Sequence, residues 1–392
     1  MNQIRMGIIG IGNMGSAHAK SIYSGNVEGM RLTAVCDVAA EKLDWAKENL
    51  PEVSRFSDYK DLLASGEVDA IIIATPHYFH PPIAIDAFAA GLHVLTEKPA
   101  GVYTSAVRKM NEAAKASGKV FGIMYNQRTT PIFAAAREFI RSGRLGEPKR
   151  LVWNVTNWYR TQYYYDSGSW RATWAGEGGG VLMNQCVHNL DLWQWIFGMP
   201  QKIHAFCHFG KYHNIEVEDD ATIYAEYENG ATAVFIASTG DCPGTNRLEI
   251  TGDRAKIVLE DAKMKIWDLT VPEREFCFSA SKNFSIPEIQ YSEPNLDAKG
   301  PGHNGILRNF AGAILKGTPL LSPGEEGLLA LSIINAAYLS TWTGETVTLP
   351  LDEERFERLL QEKCKESKIR NVQDALPSSD SGTHSDRWAV RW

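Results

Sequence analysis

Along the first 125 residues, short apolar runs alternate with stretches whose apolar positions recur every three or four residues. The runs Met6–Ile9, Leu32–Cys36, Ala70–Ala74, His93–Leu95 and Val120–Met124 have strand length and little polar alternation. Between them, segments such as Pro82–Ala90 and Ser105–Ser117 follow the helical period. Unalternating apolar strands are buried on both faces, so this rhythm predicts a doubly wound parallel sheet between two helical layers. After about residue 126 the rhythm changes. One helix is predicted over Pro131–Arg141, stopping at Ser142-Gly143. Residues 201–280 read as strands separated by turn signals such as Glu228-Asn229-Gly230 and Thr251-Gly252-Asp253, which predicts a largely antiparallel sheet. Helices return at Asn304–Leu315, Gly324–Thr341 and Asp352–Glu366. The expected organisation is an α/β domain over 1–125, an α+β domain with an open, mostly antiparallel sheet over 126–367, and a polar tail over 368–392.

A chain of 392 residues exceeds what one core usually organises, which agrees with two domains. A net charge of −7 argues against a general nucleic-acid or anionic-membrane surface, and no basic run reverses that. The start, MNQIRMGIIGIGNMG, has no basic segment, apolar segment and cleavage site in series, and no apolar stretch reaches membrane-spanning length. Six cysteines lie scattered without CxxC spacing and read as reduced, buried thiols. These features lead to the expectation of a cytoplasmic protein.

The segment Gly10-Ile11-Gly12-Asn13-Met14-Gly15 follows the first apolar run and opens a helix reaching about Ser24. The second run ends at Asp37, twenty-two residues after Gly15. This is the phosphate-binding turn of a Rossmann domain. Gly10 permits the tight turn, Gly12 lets the backbone approach a pyrophosphate, and Gly15 lets helix and strand approach closely. The helix start, with Asn13 and Met14, offers free N–H groups to the phosphates. Asp37 accepts ribose hydroxyls and repels a 2′-phosphate, and Val38-Ala39-Ala40 supplies no arginine to hold one. NAD is therefore expected over NADP.

Two further loops fall at the carboxyl ends of predicted strands, where open parallel sheets bind ligands. One is Thr75-Pro76-His77-Tyr78-Phe79-His80; the other is Thr96-Glu97-Lys98-Pro99. Both should border the nicotinamide end of the cofactor, with Thr75, His77, His80, Glu97 and Lys98 as candidates. A partly desolvated lysine beside a cationic ring titrates lower, which suits proton transfer near neutral pH. The structural alternatives are a solvated lysine and packing or capping histidines.

With these motifs, the chain resembles the Gfo/Idh/MocA oxidoreductases, which include glucose–fructose oxidoreductase and inositol dehydrogenases. The resemblance runs over nearly the whole chain and is most specific at Glu97-Lys98-Pro99. It implies a tightly held NAD(P), sugar or cyclitol substrates, a second domain that often carries the oligomer interface, and a homodimer or homotetramer. It also implies Lys98 as the catalytic lysine. The family's later motif, Asp followed four residues on by His, falls on Asn184 and His188 in GGGVLMNQCVH. An amide does not take a proton as a carboxylate does, so proton transfer would rest on Lys98 and His188. On a helix, residues four apart share a face, so Asn184 and His188 should reach one ligand. Asp191 would orient the imidazole or solvate the helix. Buried packing is the alternative for this helix. The Asn-Gln-Cys variant looks similar to members acting on pyranosides or anhydrosugars.

Eight aromatics lie between Trp153 and Trp174: Trp153, Trp158, Tyr159, Tyr163, Tyr164, Tyr165, Trp170 and Trp174, interleaved with Arg160, Asp166, Arg171 and Glu177. Aromatic faces against a sugar's C–H face, with charged groups on its hydroxyls, would have this composition. Tyr159, Arg160, Trp170, Arg171 and Asn184 are the candidates for holding substrate; an aromatic core or subunit interface is the alternative. His204, His208 and His213 suggest metal spacing, but Lys202–Phe209 reads as a strand and no carboxylate or cysteine completes a set, so no metal is expected. The expected activity is NAD-dependent hydride transfer from a secondary alcohol of a sugar, anhydrosugar or cyclitol. The alternatives are glycoside cleavage by transient oxidation and elimination, and a non-catalytic NAD-binding regulatory protein.

Overall fold

A computed structural model describes residues 3–168, 170–296 and 299–368. The first half alternates strand and helix: β1 (Ile4–Ile9), α1 (Asn13–Tyr23), β2 (Met30–Cys36), α2 (Ala40–Asn49), β3 (Ser54–Phe56), α3 (Tyr59–Ala64), β4 (Ala70–Ile73), α4 (His80–Ala89), β5 (His93–Thr96), α5 (Thr104–Ser117) and β6 (Phe121–Ile123). All strand pairs are parallel, in the order β3-β2-β1-β4-β5-β6. Side chains alternate across the sheet with period two. Met6, Ile8, Ala70 and Ile72 share a buried cluster with Ala19 and Ile22 of α1. Ile9, Ile71 and Ile73 join α4 and α5 through Ala84, Phe88, Val107 and Met110. Helix α4 starts at His80, with Pro81 and Pro82 in its first turn, where no donor is needed. The mixed Ser-Arg-Phe strand β3 is too short to stand out as an apolar run.

The second half contains α6 (Pro131–Arg141), β7 (Pro148–Val155), α7 (Gln162–Asp166), α8 (Val187–Phe197), β8 (Lys202–Phe209), β9 (Glu218–Glu226), β10 (Thr232–Ser238), β11 (Asn246–Gly252), β12 (Ala255–Glu260) and β13 (Lys263–Leu269). It continues with α9 (Glu273–Ser279), β14 (Ile289–Ser292), α10 (Gly302–Lys316), α11 (Gly327–Thr343), β15 (Val347–Thr348) and α12 (Glu353–Glu366). Its nine strands run β14-β13-β12-β11-β7-β10-β9-β8-β15, and within this sheet, among the described residues, β7–β10 is the one parallel pair. Helix α10 returns to the first sheet, where Ile306, Leu307, Phe310 and Ala311 complete the α1 side of the core. Buried Asn335 of α11 ties the halves together, accepting from Thr104 N at 3.1 Å and donating to Val102 O at 3.0 Å.

The cysteines are all free, but the expectation of uniformly buried thiols needs correcting. Cys36, Cys186 and Cys207 are buried, Cys364 is intermediate, and Cys242 and Cys277 sit exposed on turn and surface-helix positions. No helix among the described residues is long and apolar enough to cross a membrane. The tail expected over 368–392 lies outside the described residues except for Lys368.

Candidate active site

Five loops leave the carboxyl ends of β1, β2, β4, β5 and β6 on one edge of the first sheet. Gly10 has φ +91°, and a Cβ there would lie 2.6 Å from Ala74 O. A Cβ on Gly15 would come within 1.8 Å of Gly10 O, so helix and turn touch main chain to main chain. Nothing lies within 4 Å of a Cβ built on Gly12, which leaves the approach to the start of α1 open. No side chain caps that helix start, and its first turn, with Asn13 and Met14, carries no acid. Asp37 accepts from Ile11 N at 2.7 Å and Ala39 N at 3.0 Å, so its carboxylate stands fixed beside the glycine turn. The buried Thr75 hydroxyl has no partner among the described residues. An open glycine cradle, a donor-rich helix start, a fixed acid on β2 and an unpaired buried hydroxyl fit a dinucleotide.

The loop after β4 does not present both of its histidines to a ligand. His80 is fully buried, with Nδ1 2.7 Å from Pro99 O and Nε2 2.7 Å from Thr75 O. It clamps the two loops together, which corrects its expected place on the cofactor surface. Burial pushes its pKa down, while two carbonyl acceptors favour the form with two N–H groups. His77 donates from Nδ1 to Glu177 O at 2.9 Å and meets the Trp170 ring edge-on at 5.5 Å. Glu97 also turns inward. Its Oε1 lies 2.6 Å from His18 Nε2 of α1, and its Oε2 accepts from Lys98 N at 3.1 Å. Burial would raise this carboxyl, but His18, His303 and Lys98 together bring it down to about 2.

Lys98 Nζ donates to the main-chain carbonyl of Asn184 at 3.1 Å. Burial lowers its pKa, with Arg171 and Arg160 adding to the effect and Glu97 and Glu177 opposing it. Those contributions put both arginines and Glu177 in the lysine's electrostatic neighbourhood. Asn184 does not share an α-helical face with His188. A π turn spans Val181–Gln185, and α8 starts at Val187. The Asn184 side chain donates from Nδ2 to Glu177 Oε1. His188 is buried, its Nδ1 has no partner among the described residues, and Tyr125 lies edge-on at 6.3 Å. Burial, then the Lys98 charge, push the His188 pKa well down, which keeps the ring neutral. Asp191 neither orients His188 nor faces solvent. It is 1% exposed and accepts from Arg128 Nε at 2.8 Å and Nη2 at 2.6 Å.

The aromatic segment divides. Trp153, Trp158, Tyr165 and Trp174 are core. Tyr159 and Tyr163 are exposed. Tyr164 and Trp170 are half-buried and carry the cations: Arg171 lies 4.9 Å from both ring centres and donates to Tyr164 OH at 2.9 Å, and Arg160 lies 5.0 Å from Tyr164. Tyr159 meets Arg160 through its carbonyl, which accepts from Nη1 at 2.8 Å. The histidines weighed as metal ligands are apart. His204 and His208 lie on β8, and His213 is held between Asp219 at 2.9 Å and Arg160 O at 2.9 Å. Sequence reasoning missed His18, Tyr125, Arg128 and the role of Glu177. Glu177 was visible as a charge among aromatics, but its partner could not be read from spacing.

This fold and site define an NAD-binding oxidoreductase with a Rossmann domain and a separate sheet domain. Residues 4–125 match the family model described as oxidoreductase family, NAD-binding Rossmann fold, and residues 133–258 match the GFO/IDH/MocA C-terminal domain. The chain belongs to the Gfo/Idh/MocA oxidoreductase family, and its cofactor is NAD. It is similar to myo-inositol 2-dehydrogenase of Thermotoga maritima, at 23% identity over 88% of this chain and 98% of that one. A glycosyl hydrolase family 109 protein of Shewanella baltica is 27% identical over 46% of this chain and 42% of its own length. The WlbA dehydrogenase of Chromobacterium violaceum, solved with NADH and UDP-GlcNAcA, superposes with a TM-score of 0.77 at 27% identity, covering 90% of this chain and 97% of that one.

Proposed function

We propose that the protein oxidises or reduces a secondary alcohol of a sugar, anhydrosugar or cyclitol. The observation that carries this reading is the Lys98–Asn184 hydrogen bond at the carboxyl end of β5, with His188 within reach of the Lys98 charge. Gly10, Gly12, the start of α1 and Asp37 would hold the dinucleotide. Bound NAD supplies the hydride acceptor at nicotinamide C4. Lys98 Nζ, made less basic by burial, takes the hydroxyl proton. Neutral His188, within reach of the Lys98 charge, hydrogen-bonds the same hydroxyl. Arg160, Arg171, Tyr159 and Trp170 contribute a cationic, aromatic wall suited to a polyhydroxylated ring. The small-molecule partners of the inositol dehydrogenase and WlbA relatives are of this type.

Absorbance of reduced nicotinamide, followed with NAD and a panel of sugars, anhydrosugars, inositols and aryl glycosides, tests the reading. Catalytic NAD reduction with one subgroup is expected. Lys98→Met should lower kcat by about 10²–10⁴-fold with NAD still bound; near-normal turnover would exclude the mechanism. The family 109 relative favours a second reading, cleavage of a glycoside by transient oxidation and elimination. Aglycone release without net reduced NAD in the same panel would replace the first reading with this one.

A further inference from the structure

We infer that Glu177 is a positioning residue that sets the hydrogen-bonding polarity of Asn184 toward the substrate. The inference rests on the dehydrogenase reading for its ligand and on the fold alone for its geometry. Asn184 is tied at two points. Its main-chain carbonyl accepts from Lys98 Nζ at 3.1 Å, and its side-chain Nδ2 donates to Glu177 Oε1. The other carboxylate oxygen of Glu177 accepts from Ala172 N at 2.7 Å. The Glu177 side chain is buried, at 3% exposure, and Asn184 is 8% exposed.

An amide has a donor end and an acceptor end, and which faces a ligand depends on what holds the other. An ionised carboxylate only accepts, so Glu177 must face the Asn184 NH2 group. Asn184 then offers its Oδ1 to the site as an acceptor, as a carboxylate at this position would. A substrate hydroxyl held by Oδ1 donates there, which fixes a ring hydroxyl beside the one that loses its proton to Lys98. The chain thereby keeps a carboxylate in the constellation, seven residues upstream of Asn184 and one bond network removed from the ligand. The charged and titratable groups around Glu177 are Arg171, Lys98, Tyr165 and, through the Glu177 carbonyl, His77. Burial raises the Glu177 pKa on balance, against the opposing pull of Arg171, the two hydrogen bonds and Lys98. Both carboxylate oxygens accept from N–H groups, Ala172 N and Asn184 Nδ2, which is the arrangement the acceptor-only form makes.

The test is a polarity swap in the full-length chain, with three variants: Glu177→Gln, Asn184→Asp, and both together. Glu177→Gln puts an NH2 group against Asn184, flips the amide and presents a donor to the substrate. Its kcat/KM should fall about tenfold to a hundredfold, the scale of one buried hydrogen bond to a charged group. Asn184→Asp places two carboxylates in contact. They must share a proton, so activity relative to the unaltered protein should fall as pH rises and that proton is lost. The double variant restores one donor between the residues and one acceptor toward the ligand, and should recover kcat/KM to within a few-fold of the unaltered protein. Unaltered kcat, KM and pH profile in Glu177→Gln, or a double variant no better than the worse single, would overturn the inference while leaving the dehydrogenase reading standing. If the unaltered protein turns over nothing in the panel, the dehydrogenase reading fails by itself. Thermal unfolding of the ligand-free variants then decides the pair: recovery of the midpoint in the double supports it, and additive losses overturn it.

Discussion

At position 37, one carboxylate holds Ile11 N and Ala39 N, and in the proposed reading it also receives the ribose of NAD. Replacing it should loosen the turn and remove the charge that repels a 2′-phosphate. Asp37→Ser is expected to weaken NAD about tenfold and to narrow the preference over NADP, read by titration with each cofactor; an unchanged ratio would remove Asp37 from selectivity. Two buried glutamates make opposed contributions to pH-dependent stability. Glu97, brought down to about 2, contributes stability above its unfolded value near 4.5 and loses it as pH falls through 2. Glu218 accepts from Gly180 N, Leu182 N and Tyr338 OH, yet full burial outweighs those donors and lifts it to about 7. Its contribution is present below about 4.5 and is lost as pH rises through 7, on the order of 3 kcal/mol for a shift of this size. The difference in unfolding midpoint between the unaltered protein and Glu218→Gln should therefore move in the variant's favour as pH rises from 4.5 to 7.

Elements were legible where one local pattern sufficed. The helix predicted over Pro131–Arg141 has those bounds, because proline starts it and Ser142-Gly143 ends it. The glycine turn is also local. Gly15→Ala, whose Cβ would meet Gly10 O at 1.8 Å, should shift the turn and weaken NAD at least about tenfold in a titration, with smaller loss of stability. The π turn was not legible. Helical periodicity alone put Asn184 and His188 on one face, but the turn widens over Val181–Gln185 and sends Asn184 toward Lys98 and Glu177. Its causes are distant in sequence. Glu218 of β9 caps Gly180 N at 2.9 Å and Leu182 N at 2.8 Å, and a Cβ at Gly180 would lie 2.0 Å from Glu218 O.

Across the whole molecule, the site depends on a buried ion network behind it. Arg128, after β6, pairs with Asp191 of α8 at 2.6 Å and with Glu326 at 2.5 Å, and it lies 5.3 Å from the Tyr125 ring centre. It joins the end of the first sheet to the helix that carries His188. Removing one member strands a buried charge, so Arg128→Met should cost about 3–5 kcal/mol, read by thermal or denaturant unfolding. The double variant Arg128→Met with Asp191→Leu should recover part of that loss; no recovery would mean that packing, not charge, dominates. Helix α10 shows the same separation of causes. The sequence predicted a helix over Asn304–Leu315, but only the fold places its Ile306 and Phe310 against the sheet of the first half.

Short-range physics determined the strand–helix alternation, the glycine turn, Asp37 at the end of β2 and Lys98 at the end of β5, since each depends on residues adjacent in sequence. The partners of those residues were decided only by the tertiary structure: His18 for Glu97, Asn184 for Lys98, Glu177 for Asn184 and Arg128 for Asp191. A buried polar group needs a partner, so its presence in the sequence announces that one exists. Which residue meets it depends on how distant segments pack, and that information lies in the three-dimensional fold rather than in any spacing along the chain.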